Sequence, residues 1–301
     1  MKPTEETIVD TVAEAETSTS ASPRLNVLKT YKLYIGGKFP RTESGRYYKL
    51  ENNGETLANL CLSSRKDFRN AVVAARSAQS GWAKSSAFLK SQILYRIAEM
   101  LEGRASQFAT ELVQMGSDPE AARAEVTASI DLLVHYAGWA DKYSQVFSSV
   151  NPVASSHFNF SIPGPTGVVG VIAPEDSGLL GLVGSIAPAI VGGNSVVVLA
   201  SQTQALSAVT LAEVLHTSDL PGGVVNLLTG ERGELLEHFA SHMDVNAVVY
   251  AGGDAEEIKA LQTGAADNLK RVIVRSDAAE PTPYAILDTQ ELKTTWHPIG
   301  Q

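Results

Sequence analysis

The chain has 301 residues, 44% of them hydrophobic and 19% charged, which suits a folded domain with a sizeable core. Its net charge of -9 leaves no basic excess to displace counterions from a phosphate backbone, so no nucleic-acid partner is expected. A single cysteine, Cys61, excludes an internal disulfide framework and any multi-cysteine metal site.

Residues 1–24 are rich in Glu, Thr, Ser and Ala and poor in large apolar groups, a composition that predicts a disordered tail. No amino-terminal stretch joins a basic start to an apolar core, so no secretory signal is expected. Order is expected from about Leu25. Tyr31 to Ile35, Gly36-Gly37 and Lys38-Phe39 read as a hairpin with a two-glycine turn. Asn52-Asn53-Gly54 signals a second turn, followed by a short strand from Leu60 to Leu62 that holds Cys61 as a small buried residue.

From Ser64 to about Lys142 the pattern becomes helical. Val72, Val73, Ala75 and Ala78 recur at helical spacing, as do Ile93, Leu94, Ile97, Met100 and Leu101. Ser64 is read as a helix cap, Gly81 as a break between helices, and Pro119 as the opening of a helix that runs to Trp139. Asn151-Pro152 to Ile162 reads as strand and turn, with Phe158 and Phe160 alternating. Strands at 167–173, 195–199, 224–228, 247–250 and 271–274 then alternate with helices at 179–191, 205–215, 234–240 and 255–265. Such alternation predicts an α/β fold, a Rossmann-like, mostly parallel sheet covered by helices on both faces. The longest apolar run, Leu179 to Val191, is too short and too interrupted by Gly and Pro to span a bilayer, so no membrane association and a cytoplasmic location are expected.

Several short motifs follow one another in a set order: Tyr34 to Lys38, Tyr136 to Trp139, Gly164-Pro165-Thr166-Gly167 through Pro174, Ile186-Ala187-Pro188 through Val198, Leu220-Pro221-Gly222-Gly223 through Gly230, and Asn268-Leu269-Lys270-Arg271. In that order they resemble one family, the NAD(P)-dependent aldehyde dehydrogenases, over residues 31–301. Glycines at strand–helix turns suit any doubly wound sheet, so the order of the motifs carries the resemblance. It implies a nucleotide-binding domain over residues 25–301 with an oligomerising β-hairpin near 145–162, exposed at its edges unless a partner covers it. NAD or NADP is the implied cofactor, with Ile172, Pro174, Gly230, Gly252 and Gly253 as its vestigial contacts.

The chemistry of the family needs a cysteine nucleophile, an amide that donates to the oxyanion and a carboxylate base. The loop that usually reads Pro-Trp-Asn-Phe-Pro is Pro174-Glu175-Asp176-Ser177-Gly178 here, so Asp176 stands at the donor position and, ionised, donates nothing. The ribose-anchoring Lys-Pro-Ser-Glu stretch reads Leu199-Ala200-Ser201-Gln202. The phosphate turn reads Tyr250-Ala251-Gly252-Gly253 and has lost its hydroxyls. Arg275 stands near the general-base position and cannot serve as a base near neutrality. Ile299-Gly300-Gln301 is similar to the residues just before the nucleophile, so the cysteine, the catalytic domain and a carboxyl-terminal oligomerising strand are expected to be lacking.

These departures resemble the degenerate carboxyl-terminal half of the two-domain, sixteenth-type aldehyde dehydrogenases. They imply a pseudo-enzyme that assembles with a full-length aldehyde dehydrogenase subunit, or with itself through the hairpin. An active NAD(P)-dependent oxidoreductase that acts on the aldehyde or oxo group of donors, and a nucleotide-binding regulatory module, are the competing readings. His238 and His242 share helical spacing but lack a third ligand nearby, and they read as a solvated helix end rather than a metal site.

Overall fold

Alternation of side chains along five strands decides the architecture. A computed structural model describes residues 27–300; the tail expected over residues 1–24 lies outside them. The first strands, β1 (Thr30–Tyr31), β2 (Tyr47–Asn52) and β3 (Glu55–Cys61), form a small sheet of order β1-β3-β2. Ile35 and Lys38 exchange backbone hydrogen bonds across Gly36 and Gly37, both at positive φ, as the two-glycine turn predicts. Asn53 and Gly54 turn β2 into β3 in the same way.

Four helices follow: α1 (Arg65–Lys84), α2 (Ala87–Glu102), α3 (Ala105–Gln114) and α4 (Pro119–Trp139). Ser64 caps α1 in a full capping box with Asp67. Gly81 does not break the helix as expected. It sits on the exposed face of α1 with open space around it, where glycine costs only about 1 kcal/mol. The break falls at Ser85-Ser86, and the Ser86 hydroxyl accepts from the Leu89 N–H to start α2. The separate helix α3 was not anticipated. The expected hairpin over 145–162 begins instead with a helical turn, α5 (Tyr143–Phe147), before β4 (Ser149–Asn151) and β5 (His157–Pro165).

The remainder alternates: β6 (Val168–Ile172), α6 (Leu180–Val191), β7 (Ser195–Leu199), α7 (Ala205–His216), β8 (Val225–Leu228), α8 (Arg232–Ser241), β9 (Ala247–Ala251), α9 (Ala255–Ala266) and β10 (Arg271–Arg275). The five strands pair in parallel in the order β10-β9-β6-β7-β8. Val169, Val171, Val196, Val198 and Val249 point to one face, under α2, α4, α6 and α7. Val168, Ile172, Val197, Leu199 and Val248 point to the other, under α1, α8 and α9. Both faces are therefore buried, as the continuous apolar runs require. Trp82 is fully buried and its indole N–H donates to the Ile190 carbonyl at 2.8 Å, tying α1 to α6.

No element was expected past Val274, yet α10 (Tyr284–Leu287) and β11 (Gln290–Pro298) follow. β11 runs antiparallel to β5 along nine residue pairs and gives a second three-stranded sheet, β11-β5-β4. The hairpin is therefore not exposed at both edges, because residues 290–298 of the chain itself cover one side of β5. Burial gave no clue, since residues 291–298 are exposed on both faces. No helix among the described residues is long and apolar enough to cross a membrane.

Candidate functional site

In a doubly wound sheet the binding crevice lies at the carboxyl ends of the strands, where the strand order reverses. Here the chain builds outward from β6 through β7 to β8, then returns to place β9 on the other side of β6. The reversal lies between β6 and β9. Pro174 and Asp176 follow β6, Gly252 and Gly253 follow β9, and Arg275 ends β10. These five predicted residues line one cavity of about 390 Å3 together with Ser177, Gly181 and Asp277.

Two other predicted contacts do not reach it. The Ile172 side chain is wholly buried in the layer beneath α1 and α8. Gly230 packs against the segment that opens α1, and a Cβ there would lie 3.2 Å from the Ser63 nitrogen. Leu199, at the position of the family's lysine, also points into the core.

Arg275 faces away from solvent and does structural work. Its guanidinium donates to the Ala285 carbonyl and the Asp288 carboxylate, each at 2.9 Å, and its side chain is only 10% exposed. It fastens α10 beneath the cavity floor. The loop after β10 lies directly on α6, where a Cβ on Gly184 would come within 1.8 Å of the Ala278 oxygen. Only glycine fits that approach.

Helix amino termini around such a crevice carry free N–H groups and a partial positive charge, which suit a phosphate. Here they carry the protein's own carboxylates. Glu125 reaches from α4 and accepts from the Leu179 and Leu180 N–H groups at 2.8 and 3.0 Å and from Ser177 Oγ at 2.9 Å, closing the start of α6. Glu175 accepts from Gln202 N–H at 2.9 Å and Ser201 Oγ at 2.7 Å, while Ser201 Oγ accepts from Gln204 N–H, closing the approach to α7. Asp254 accepts from the Glu256 and Glu257 N–H groups and caps α9.

Arg232, the first residue of α8, sits among these acids. Its side chain lies 2.9 Å from Glu175 and 3.2 Å from Glu257, and it donates to the Ala173 carbonyl at the end of β6. The Glu175 contact is an ion pair rather than a hydrogen bond, because the Nε–H is not aimed along it. Tyr250 donates to Glu257 at 2.6 Å and presents its ring to the guanidinium at 5.7 Å. Burial, and then the bond to Glu257, push this phenol up to about 12. A second cavity here, of about 490 Å3, is lined by Glu175, Glu231, Asp254 and Glu257 with Arg232 as the cation among them. Its charge balance is negative and repels anions.

Sequence reading missed Arg232, Glu125 and Glu257. Glu125 meets α6 across 54 residues, and nothing local marks that contact. Asp254 had a legible signal, an Asp followed by Ala-Glu-Glu at a helix start. His242 ends α8, its ring accepts from the Asp244 N–H, and both His238 and His242 pack on Phe68. No group of three or more potential metal ligands occurs among the described residues.

A family model described as the aldehyde dehydrogenase family matches residues 43–294, and the chain belongs to that family. It is 32% identical over 269 residues to retinal dehydrogenase 2 of Gallus gallus, covering 86% of this chain and 51% of the relative. It is 29% identical over 256 residues to the mitochondrial benzaldehyde dehydrogenase of Antirrhinum majus, covering 83% and 47%. Among solved structures, the NAD+ complex of an aldehyde dehydrogenase from Bacillus cereus superposes with a TM-score of 0.78 at 25% identity, covering 82% of this chain and 50% of that one. HpcC from Thermus thermophilus gives 0.78 at 28% identity, covering 82% and 48%. The chain thus spans about half the length of the relatives it matches. The α/β fold with its parallel sheet is the nucleotide-binding fold of these neighbours.

Proposed function

We propose that this chain is a non-catalytic member of its family, a cytoplasmic pseudo-enzyme subunit that assembles with a full-length aldehyde dehydrogenase. The observation that carries this reading is the self-bonded crevice. A dinucleotide needs open N–H groups and cations at the strand ends. Here Glu125, Glu175 and Asp254 take the N–H groups, and Glu175 and Glu257 take Arg232. The residues present do not fit NAD or NADP, although NAD(P) is the cofactor that family membership implies. Asp176 and Arg275 at the donor and base positions support the same reading, and they motivate the comparison with the carboxyl-terminal pseudo-enzyme half of the two-domain members. The β4–β5 hairpin is the proposed contact with the full-length subunit, offering the edge of β4 and the exposed Val146, Val150, Phe158 and Ile162.

Calorimetric titration of the purified chain with NAD and NADP tests the cofactor part. No heat of binding is expected at millimolar ligand, and saturable binding overturns it in favour of an active oxidoreductase or a nucleotide-binding regulatory module. Co-purification from the native cells tests the assembly part. A full-length homologue is expected to come down with the chain, and a chain that always elutes free of one refutes it.

A further inference from the structure

We propose that β11 is a self-complementary edge through which two copies of this chain pair, antiparallel and in a single register centred on Thr294. The inference concerns the opposite edge of the small sheet from the β4 hairpin edge and does not depend on the state of the crevice.

The phase of the strand comes from its pairing with β5. Thr166 N–H donates to the Thr289 carbonyl, and Ile299 N–H donates to the Ser156 carbonyl. Both pairs are in the register that sets Thr294 opposite Ser161. In an antiparallel ladder, hydrogen-bonded and non-hydrogen-bonded pairs alternate. The odd-numbered residues of β11 therefore bond to β5. Pro163 and Pro165, which have no N–H to give, stand opposite the even residues Leu292 and Gln290, in agreement. The N–H and C=O groups of Leu292, Thr294 and Trp296 point outward from the sheet, along an edge that no other described strand covers.

A two-fold axis through Thr294 gives these groups partners. Leu292 then faces Trp296 of the second copy and Thr294 faces itself, and each of these pairs exchanges both backbone hydrogen bonds. The side chains agree with the backbone. Leu292 and Trp296, 66% and 57% exposed in the single chain, become an aliphatic–aromatic cross-strand pair. Glu291 comes opposite His297 of the second copy, and Lys293 opposite Thr295, so no like charges meet. Slipping the register by two residues, to centre on Lys293 or Thr295, sets Lys293 opposite itself or opposite His297, and slipping it by four, to centre on Leu292 or Trp296, separates Leu292 from Trp296. Pro298, lacking an N–H, ends the ladder. The product is a continuous sheet of order β4-β5-β11-β11-β5-β4, and it removes a long exposed strand edge of the kind that folded proteins otherwise shield.

Sedimentation of the full chain at tens of micromolar, together with two variants, tests this. The parent is expected to be dimeric. Thr294→Pro is expected to be monomeric with an unchanged circular dichroism spectrum, because the N–H it removes points away from β5. Thr294→Cys is expected to form a covalent dimer with oxidised glutathione, since paired Cα atoms about 5.5 Å apart suit a disulfide. Thr295→Cys, two residues out of register with its own copy, is expected to stay uncrosslinked. A monomeric parent, a Thr294→Pro variant that folds and remains dimeric, or a Thr294→Cys variant that does not crosslink each overturns the proposal. A dimer that survives Thr294→Pro places self-association on the hairpin instead.

Discussion

The interior of the parallel sheet and the crevice at its carboxyl edge are built from the same strands, yet they hold together by different means. In the interior, Val169, Val171, Val198 and Val249 contribute through close packing of apolar side chains, and the strands satisfy their backbone groups on one another. At the crevice the loops and helix ends satisfy theirs with Glu125, Glu175, Asp254 and Arg232. In an open binding site those backbone groups would wait for a ligand. The difference teaches that a fold can be kept while its site is closed from within, because the packing that defines the sheet does not pass through the loops that define the chemistry.

Variants can test how far the two regions are independent. The largest effect is expected inside. Trp82→Ala removes a fully buried indole together with its bond to the Ile190 carbonyl, at a cost of about 3–5 kcal/mol, read as a shift of the denaturant midpoint. At the crevice, Arg232→Ala leaves Glu175 and Glu257 facing each other across a mostly buried site. A cost of about 2–4 kcal/mol is expected in the same denaturant measurement. A crevice variant that costs as much as the core variant would erase the distinction drawn between the two regions.

The smallest effect is expected at the amino edge of β10. Lys270 is buried, and its ammonium donates to the Phe239 and His242 carbonyls. Burial pushes it down to about 8 from an ordinary 10.5. Because the folded state releases this proton first, the unfolded chain binds more protons between about pH 8 and 10.5, and the contribution of Lys270 to stability rises with pH over that window. Parent minus Lys270→Met, measured by urea unfolding at pH 7 and 10, is expected to change by about 1–3 kcal/mol in favour of the parent at the higher pH. A difference independent of pH rejects this.

The elements most legible in the sequence are the fully buried strands and the helices with strong end signals. β7 begins and ends where its Ser-Val-Val-Val-Leu run does, and α4 begins at Pro119 behind Asp118 and ends at Trp139. α5 and β11 escaped because short or fully exposed segments carry weak periodicity, and α3 escaped because no capping side chain marks its start behind Arg104, although Phe108 and Leu112 share a buried face. The cavity followed the same rule. Pro174, Asp176, Gly252, Gly253 and Arg275 sit at strand ends whose position the alternation fixes. What fills the crevice was not legible, because Arg232 reaches the Ala173 carbonyl across 59 residues and Glu125 reaches Ser177 across 52, distances over which local pattern says nothing.

Glu125 has one more consequence. It is a ligand for the α6 terminus that cannot diffuse away, held on a separate helix that is itself packed into the core. Tethered groups act at effective concentrations of the order of millimolar or above, even on flexible links. A free anion that competes for this terminus therefore contends with a resident carboxylate at a local concentration that dilution of the protein never lowers.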